Sequence, residues 1–267
     1  MLRFSGAGVS DVGLVRASNE DSGFVAPYVA LVADGVGGAA AGEIASATAA
    51  YAVAAIALQR PGVDAVRVVT EAFAAARDNV RLGVQRDLNR LGMATTLTVV
   101  VTDGRTVVLG HVGDSRAYLL RAGELRQITT DHTYVQHLVE TGRLSDQERA
   151  THPWRNVVLR SVDGDPEGSG LDTTRLDVRI GDRLMLCSDG LTDLVDDDRI
   201  AAVLRAQDPE EAAAELTAAA LGAGGKDNVT CVVVDVIDGP RVVGDGRLLG
   251  AVSDPRNVVD AAAIRLA

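Results

Sequence analysis

Short strand-like runs joined by tight turns constrain the fold of this chain more than any other feature. Thr95–Thr102, Thr106–His111 and Arg116–Arg121 follow one another closely and are rich in Val, Leu or Thr. Asp103-Gly104 fills the first gap, and Ala122-Gly123 leads from the third run into Glu124–Ile128, both as hairpin turns. Sequence neighbours paired through short turns form antiparallel sheet. Tyr28–Ala33, Arg183–Cys187 and Val229–Ile237 add further strands. Helical segments lie between these runs: Gly42–Leu58, Asp64–Leu91, Tyr134–Thr141, Asp198–Ala206 and Pro209–Ala220, the last with Asp208 as its N-cap. Two consecutive helices followed by a run of hairpins read as α+β, antiparallel sheets flanked by helices, rather than alternating α/β. With 267 residues, 47% of them hydrophobic, the chain can bury the core of one large domain. Aromatics are only 3%, so Ala, Val and Leu build that core.

Two stretches depart from this pattern. Residues 142–181 are polar and irregular, with Pro153, Pro166 and closely spaced acids and glycines from Asp163 to Gly170, as in a functional flap. After Gly239-Pro240, residues 239–267 show little periodicity and are expected to lie outside the core as a C-terminal tail of unknown role. The net charge is −11 with one lysine, Lys226, and no basic run, which argues against nucleic-acid binding. Cys187 and Cys231 lie far apart in apolar runs without metal spacing, as buried free thiols of a reducing, cytoplasmic protein. The start lacks a signal-peptide core, and the most apolar segment, Ile44–Leu58, is too short to span a bilayer.

The chemistry-bearing feature is an acid placed just after an apolar strand. Asp34 follows YVALVA, Asp114 follows VVLGHVG, and Asp189 follows RLMLCS, while Asp227 precedes VTCVVVDVI. Arg16, Glu20 and Asp21 cluster near the N-terminus in RASNED. A single Asp-Gly pair is an ordinary turn. Several aspartates at one end of a sheet repel one another unless they are protonated or bind a cation. Mg²⁺ or Mn²⁺ suits such oxygen donors, and the four histidines show no zinc spacing. The stretch DGVGGAAAG at Asp34 has two rival readings. A Walker A loop needs Gly-Lys-Ser/Thr, and Lys226 is followed by Asp227, so that reading fails. A dinucleotide loop needs an acid ending a second strand about 20 residues on, where an alanine-rich helix stands instead.

Six segments in order resemble the bacterial form of the metal-dependent protein phosphatases, the PPM or PP2C type. They are RASNED (16–21), VADGVGG (32–38), MATTLTVV (93–100), VGDSRAYL (112–119), CSDGLTD (187–193) and GGKDNVTCVVV (224–234). The likeness spans about residues 5–238, and the phosphatase domain is accordingly expected at 1–238. It implies a four-layer α-β-β-α sandwich with a metal centre at one end, holding two or three Mn²⁺ or Mg²⁺ ions. By that resemblance Asp34 bridges two metals and the Gly35 carbonyl binds the second. Asp189 and Asp227 complete the first site, and Asp114 with Asp189 holds a third ion. Glu20 and Asp21 match acids near the second metal, joined to it through water. Arg16 matches the arginine that grips the substrate phosphate, for which its planar fork is suited.

The implied reaction is hydrolysis of phosphoserine or phosphothreonine in proteins by a metal-bridging hydroxide. The implied partners are phosphorylated proteins, among them a serine/threonine kinase or its substrates, with the phosphatase acting as a monomer. One departure stands out: many bacterial members carry a histidine after the paired glycines, where this chain has Ala39. A metal-bound water, or His111 or His132, is expected to serve as the proton donor instead, although His111 reads more readily as a structural strand residue. Two other functions share the resemblance. One is a phosphatase of a sigma-factor regulatory partner, disfavoured by the absence of a sensor module. The other is a pseudophosphatase that binds phosphoproteins, supported only by Ala39.

Overall fold

The structure is a computed structural model, and it describes all residues except 37–40, 150, 166, 169, 245 and 263–267, and the side chain of Asp146. Strands β1 (Leu2–Asp11), β2 (Asp21–Ala26) and β3 (Val29–Val36) precede helices α1 (Gly42–Gln59) and α2 (Ala65–Arg86). Strands β4 (Ala94–Thr95), β5 (Leu97–Thr102), β6 (Val107–Val112), β7 (Arg116–Arg121) and β8 (Glu124–Gln127) follow. Next come α3 (Tyr134–Glu140), α4 (Asp146–Arg149), β9 (Asp172–Leu176) and β10 (Arg183–Cys187). Helices α5 (Asp189–Thr192), α6 (Asp197–Ala206) and α7 (Pro209–Gly222) lead to β11 (Val229–Asp238) and β12 (Arg247–Gly250).

The strands form two antiparallel sheets. The first runs β1-β11-β10-β7-β8, and the second runs β12-β2-β3-β5-β6-β9 with β4 attached to β3. Period-two alternation divides each strand between two cores. On β3, Val29, Leu31 and Ala33 face α1 and α2, whereas Ala30 and Val32 face the other sheet. On β10, Met185 and Cys187 pack beneath α6 and α7, while Leu184 and Leu186 face inward. The result is the four-layer α-β-β-α sandwich expected from the sequence.

Local chemistry sets the element ends. Asp208 accepts from the amides of Glu210 and Glu211, with Pro209 in the first turn, as an N-cap should. Ala122 and Gly123 both have positive φ, 50° and 85°, so the β7–β8 hairpin turns with the hand that suits twisted strands. Helix α2 stops at Arg86 instead of reaching Leu91. Asp87 is extended and caps a separate 3₁₀ turn, and Leu88 and Leu91 are exposed, so the apolar stripe has nothing left to cover.

Three sequence expectations change here. The polar stretch 142–181 contains β9, which pairs with β6 from His111↔Asp172 to Val107↔Leu176. Its DTTRL sequence is polar because it is an exposed edge. Residues 239–267 do not all lie outside the core: β12 pairs with β2, and Leu249, Ala251 and Val252 are buried. A four-residue edge strand is too short to carry a readable period. Strands β1 and β2 add to the expected set: Gly6 and Gly8 interrupt the alternation of β1, and β2 is buried at all six positions, so neither carries a period of two. Among the described residues, no helix is long and apolar enough to cross a membrane.

Candidate functional site

The same alternation that builds the inter-sheet core places the acids. Ala30 and Val32 of β3 point between the sheets, so two residues on, Asp34 points there as well, at the end where the core gives out. Asp21 stands directly across from Asp34 in the β2–β3 register, on the same face as Val25. Ser188 continues the inward face of β10 and donates its hydroxyl to Asp21 Oδ2 at 2.6 Å. Thr230 continues that of β11; its amide donates to Ser188 Oγ at 2.9 Å and its hydroxyl pairs with Ser10 at 2.7 Å. An apolar core thus ends in a polar layer, and Asp189 begins α5 just beyond it.

The backbone of Asp34 is clamped on both sides. Its amide donates to Thr96 Oγ1 at 2.9 Å, and its carbonyl accepts from Thr95 Oγ1 and the Thr96 amide, each at 2.9 Å. The paired threonines of MATTLT, given no individual role from sequence, therefore fix the residue on which the reading centred. Gly35 needs its missing side chain: a Cβ there would lie 2.3 Å from the Gly42 carbonyl oxygen and 2.7 Å from that of Glu20. The Gly35 amide donates to that Glu20 carbonyl at 3.1 Å.

Arg16 and Glu20 ride on the loop between β1 and β2, and Asn228 holds that loop. Its Oδ1 accepts from the Glu20 amide at 2.8 Å, and its Nδ2 donates to the carbonyls of Val12 and Ser18, each at 2.9 Å. Asn228 was legible only as the second half of Asp227-Asn228 and carried no assignment. Arg16 Nη2 donates to Asp227 Oδ2 at 2.7 Å, with half of the arginine side chain exposed at the mouth of the site. Asn228→Ala strips three loop anchors at once and is expected to lower kcat/KM on a phosphopeptide by about 10- to 100-fold, one to two lost hydrogen bonds' worth. Steady-state kinetics beside a thermal melt check this, since a loss of activity at unchanged melting temperature is the expected pattern.

Burial sets the electrostatics. It is the largest cause pushing Asp21 up to about 7, Asp114 to about 8 and Asp189 to about 6, and it raises Asp34 well above the usual carboxylate range. The aspartates reinforce this on one another: Asp34 feels Asp21, Asp189, Asp114 and Asp227, and Asp114 feels Asp189. Asp193 and Asp227 add to the upward push of burial on Asp189. Asp21 Oδ1 is buried without a hydrogen-bond partner. Among the described residues, no three His, Cys, Asp or Glu side chains are already gathered into a coordination cage. The aspartates are nevertheless close enough to couple, and they are all oxygen donors. An orphaned carboxylate oxygen within such a set fits hard divalent cations, Mg²⁺ or Mn²⁺. Beside them opens a cleft of about 450 Å³, lined by Asp114, Asp189, Asp193, Arg155 and Lys226.

Residues 17–223 match the model of the Protein phosphatase 2C family. The chain belongs to that family. It is 43% identical over 253 residues to the serine/threonine protein phosphatase PstP of Mycobacterium tuberculosis, covering 95% of this chain and 48% of that protein. The chain thus spans about half the length of that relative. It is 33% identical over 247 residues to the serine/threonine phosphatase stp of Listeria welshimeri, covering 85% of this chain and 93% of that one. The solved catalytic domain of PstP, in complex with 2 manganese ions, superposes with a TM-score of 0.81 at 41% identity, covering 89% of this chain and all of that one.

Within this protein phosphatase 2C chain, neither histidine proposed as a substitute proton donor is free. His111 is 3% exposed; its Nδ1 meets Thr98 Oγ1 at 2.9 Å and its Nε2 meets the Thr130 carbonyl at 3.0 Å. Burial, then the neighbouring His132, pushes His111 down to about 4, so it is neutral near pH 7. His132 Nδ1 accepts from the Gly113 amide at 3.0 Å, and its Nε2 faces Asp172 at 3.0 Å. Both rings join strands to the stretch leading into the flap. Ala39, the departure from the family pattern, lies outside the described residues.

Proposed function

We propose that this chain is a divalent-metal-dependent serine/threonine protein phosphatase that hydrolyses phosphoserine and phosphothreonine in proteins. The observation that carries the reading is the meeting of Asp21, Asp34, Asp114, Asp189 and Asp227 at one end of the sandwich, with Arg16 at its mouth. Asp34, the Gly35 carbonyl, Asp114, Asp189 and Asp227 would hold the ions, with Glu20 and Asp21 beside them. When bound, the cations neutralise these carboxylates and lower the pKa of water enough to yield hydroxide near neutral pH.

The remaining work belongs to the protein's own groups. Arg16 offers a planar, always-charged fork to the phosphate, and Asp227 holds that fork at the rim until substrate arrives. The threonine clamp keeps Asp34 from shifting as charge develops. Ser115 and Ser188 are fully buried and hydrogen-bonded, so neither is available as a nucleophile. Direct hydrolysis by water, without a phosphoenzyme, is what the family resemblance implies. The names of the relatives support phosphorylated proteins as the substrate class; a serine/threonine kinase and its targets, met in the cytoplasm, are the partners this reading adds.

Chelation tests the reading. Phosphothreonine-peptide hydrolysis is expected to fall by about 10³-fold or more in EDTA and to return with added Mn²⁺, because the ions supply several kcal/mol of transition-state stabilisation. Full activity in EDTA would refute it.

A further inference from the structure

The segment that follows the matched family region reaches the site through hydrogen bonds. Strand β12 lies along β2 with Gly250 opposite Ser22. Just beyond it, the Val252 amide donates to Ser22 Oγ at 3.1 Å. Ser22 Oγ meets Ser46 Oγ of α1 at 3.0 Å, and Ser46 Oγ donates to the Glu20 carbonyl at 2.5 Å. That carbonyl also accepts the Gly35 amide at 3.1 Å.

The donors fix a direction. The Ser46 proton is committed to Glu20, so Ser22 donates to Ser46 and accepts from Val252. Each hydroxyl gives once and receives once, and both serines are wholly buried. A second contact runs parallel to this chain. Gly250 has φ 69°, and a Cβ on it would lie 2.3 Å from the Asp21 carbonyl oxygen and 2.6 Å from Ser10 Oγ. The far end of the strap is clipped to the helices: the Val259 amide donates to Thr48 Oγ1 at 3.1 Å, and Arg86 pairs with Asp260 at 2.6 Å.

We propose that residues 247–253 are a positioning device for the site, setting its metal affinity through Gly250 on Asp21 and through Val252, Ser22 and Ser46 on Glu20 and Gly35. The inference rests on the metal-dependent reading above. It makes Gly250, Ser22, Ser46 and Val252 positioning residues, since none of them touches substrate. Whatever grips or releases this strap changes how firmly the site takes up its ions.

The test uses the full chain as wild type, Gly250→Ala, Ser46→Ala, the double variant and a control, Val203→Ala, in the core beneath α6. Mn²⁺ binding is followed by the paramagnetic resonance of free Mn²⁺, alongside thermal melts and phosphopeptide kinetics. Each single variant is expected to weaken Mn²⁺ binding about tenfold, the equivalent of one lost buried hydrogen bond, with kcat recovered at saturating Mn²⁺. The double variant should bind Mn²⁺ more weakly than either single one, because Gly250 acts on Asp21 and Ser46 on Glu20 by separate routes. Val203→Ala should lower the melting temperature and leave the affinity unchanged. Wild-type affinity in both single variants, or an equal weakening in Val203→Ala, overturns the strap's role. A wild type that binds no Mn²⁺ overturns the metal-dependent reading itself. Ser46→Ala removes a single oxygen, so it keeps the test open if Gly250→Ala does not fold.

Discussion

Asp34→Asn is expected to lower kcat on a phosphothreonine peptide by about 10⁴-fold while leaving the protein folded, and to raise its melting temperature when no divalent cation is present. The two effects share one cause. Asp34 lies among Asp21, Asp114, Asp189 and Asp227, and burial with mutual repulsion already disfavours its charge. An amide of the same shape cannot carry that charge at all. Relief of buried like charge is worth about 1–2 kcal/mol, which moves the midpoint of a domain this size by a few degrees. Adding Mn²⁺ should then raise the melting temperature of the wild type above that of the variant, because only the wild type binds the ions tightly. Calorimetry with EDTA and with Mn²⁺, beside a peptide assay, checks all three parts. An unaffected kcat would remove Asp34 from the centre of the chemistry.

The second large effect concerns stability. Arg116 and Asp131 form a forked pair, Nε to Oδ1 at 2.9 Å and Nη2 to Oδ2 at 2.6 Å, with the Asp131 side chain only 7% exposed. Removing only the arginine leaves a buried carboxylate without its cation. Arg116→Met should therefore cost about 3–5 kcal/mol in urea unfolding. The double variant Arg116→Met/Asp131→Leu should recover most of that loss, since it leaves no orphaned charge. A single variant as stable as the wild type would show that water or Gln127, whose amide reaches Asp131 Oδ1 at 3.2 Å, already satisfies the carboxylate.

How far the site was legible depends on the kind of residue. Aspartates after apolar runs are visible because an acid interrupts a period, and Asp34, Asp114 and Asp189 all carry that signature. The groups that hold them do not. Thr95, Thr96, Ser188 and Asn228 act through backbone partners distant in the chain, and nothing in local spacing reveals a bond such as Asn228 to Val12. The fold divides in the same way. Strands β3, β5, β6, β7, β10 and β11, central or well covered, read clearly. Strands β1, β9 and β12 lie at sheet edges with one side open, so their sequences need not alternate; β2, buried at every position, shows no alternation either, and of the edges only β8 is marked, by its hairpin turn. His132 shows the opposite failing: a histidine beside clustered acids suggests proton transfer, yet its ring, like that of the structurally read His111, fastens the end of β6 to the loop at residues 130–132.

Strand β2 is buried at all six of its positions, and among the described residues the one strand paired along its outer side is the four-residue β12. An uncovered apolar strand presents a row of free amides and carbonyls, ready to pair with the same strand of another molecule. The short strand Arg247–Gly250, with an exposed arginine on the outermost edge of the sheet, is therefore also a guard against self-association.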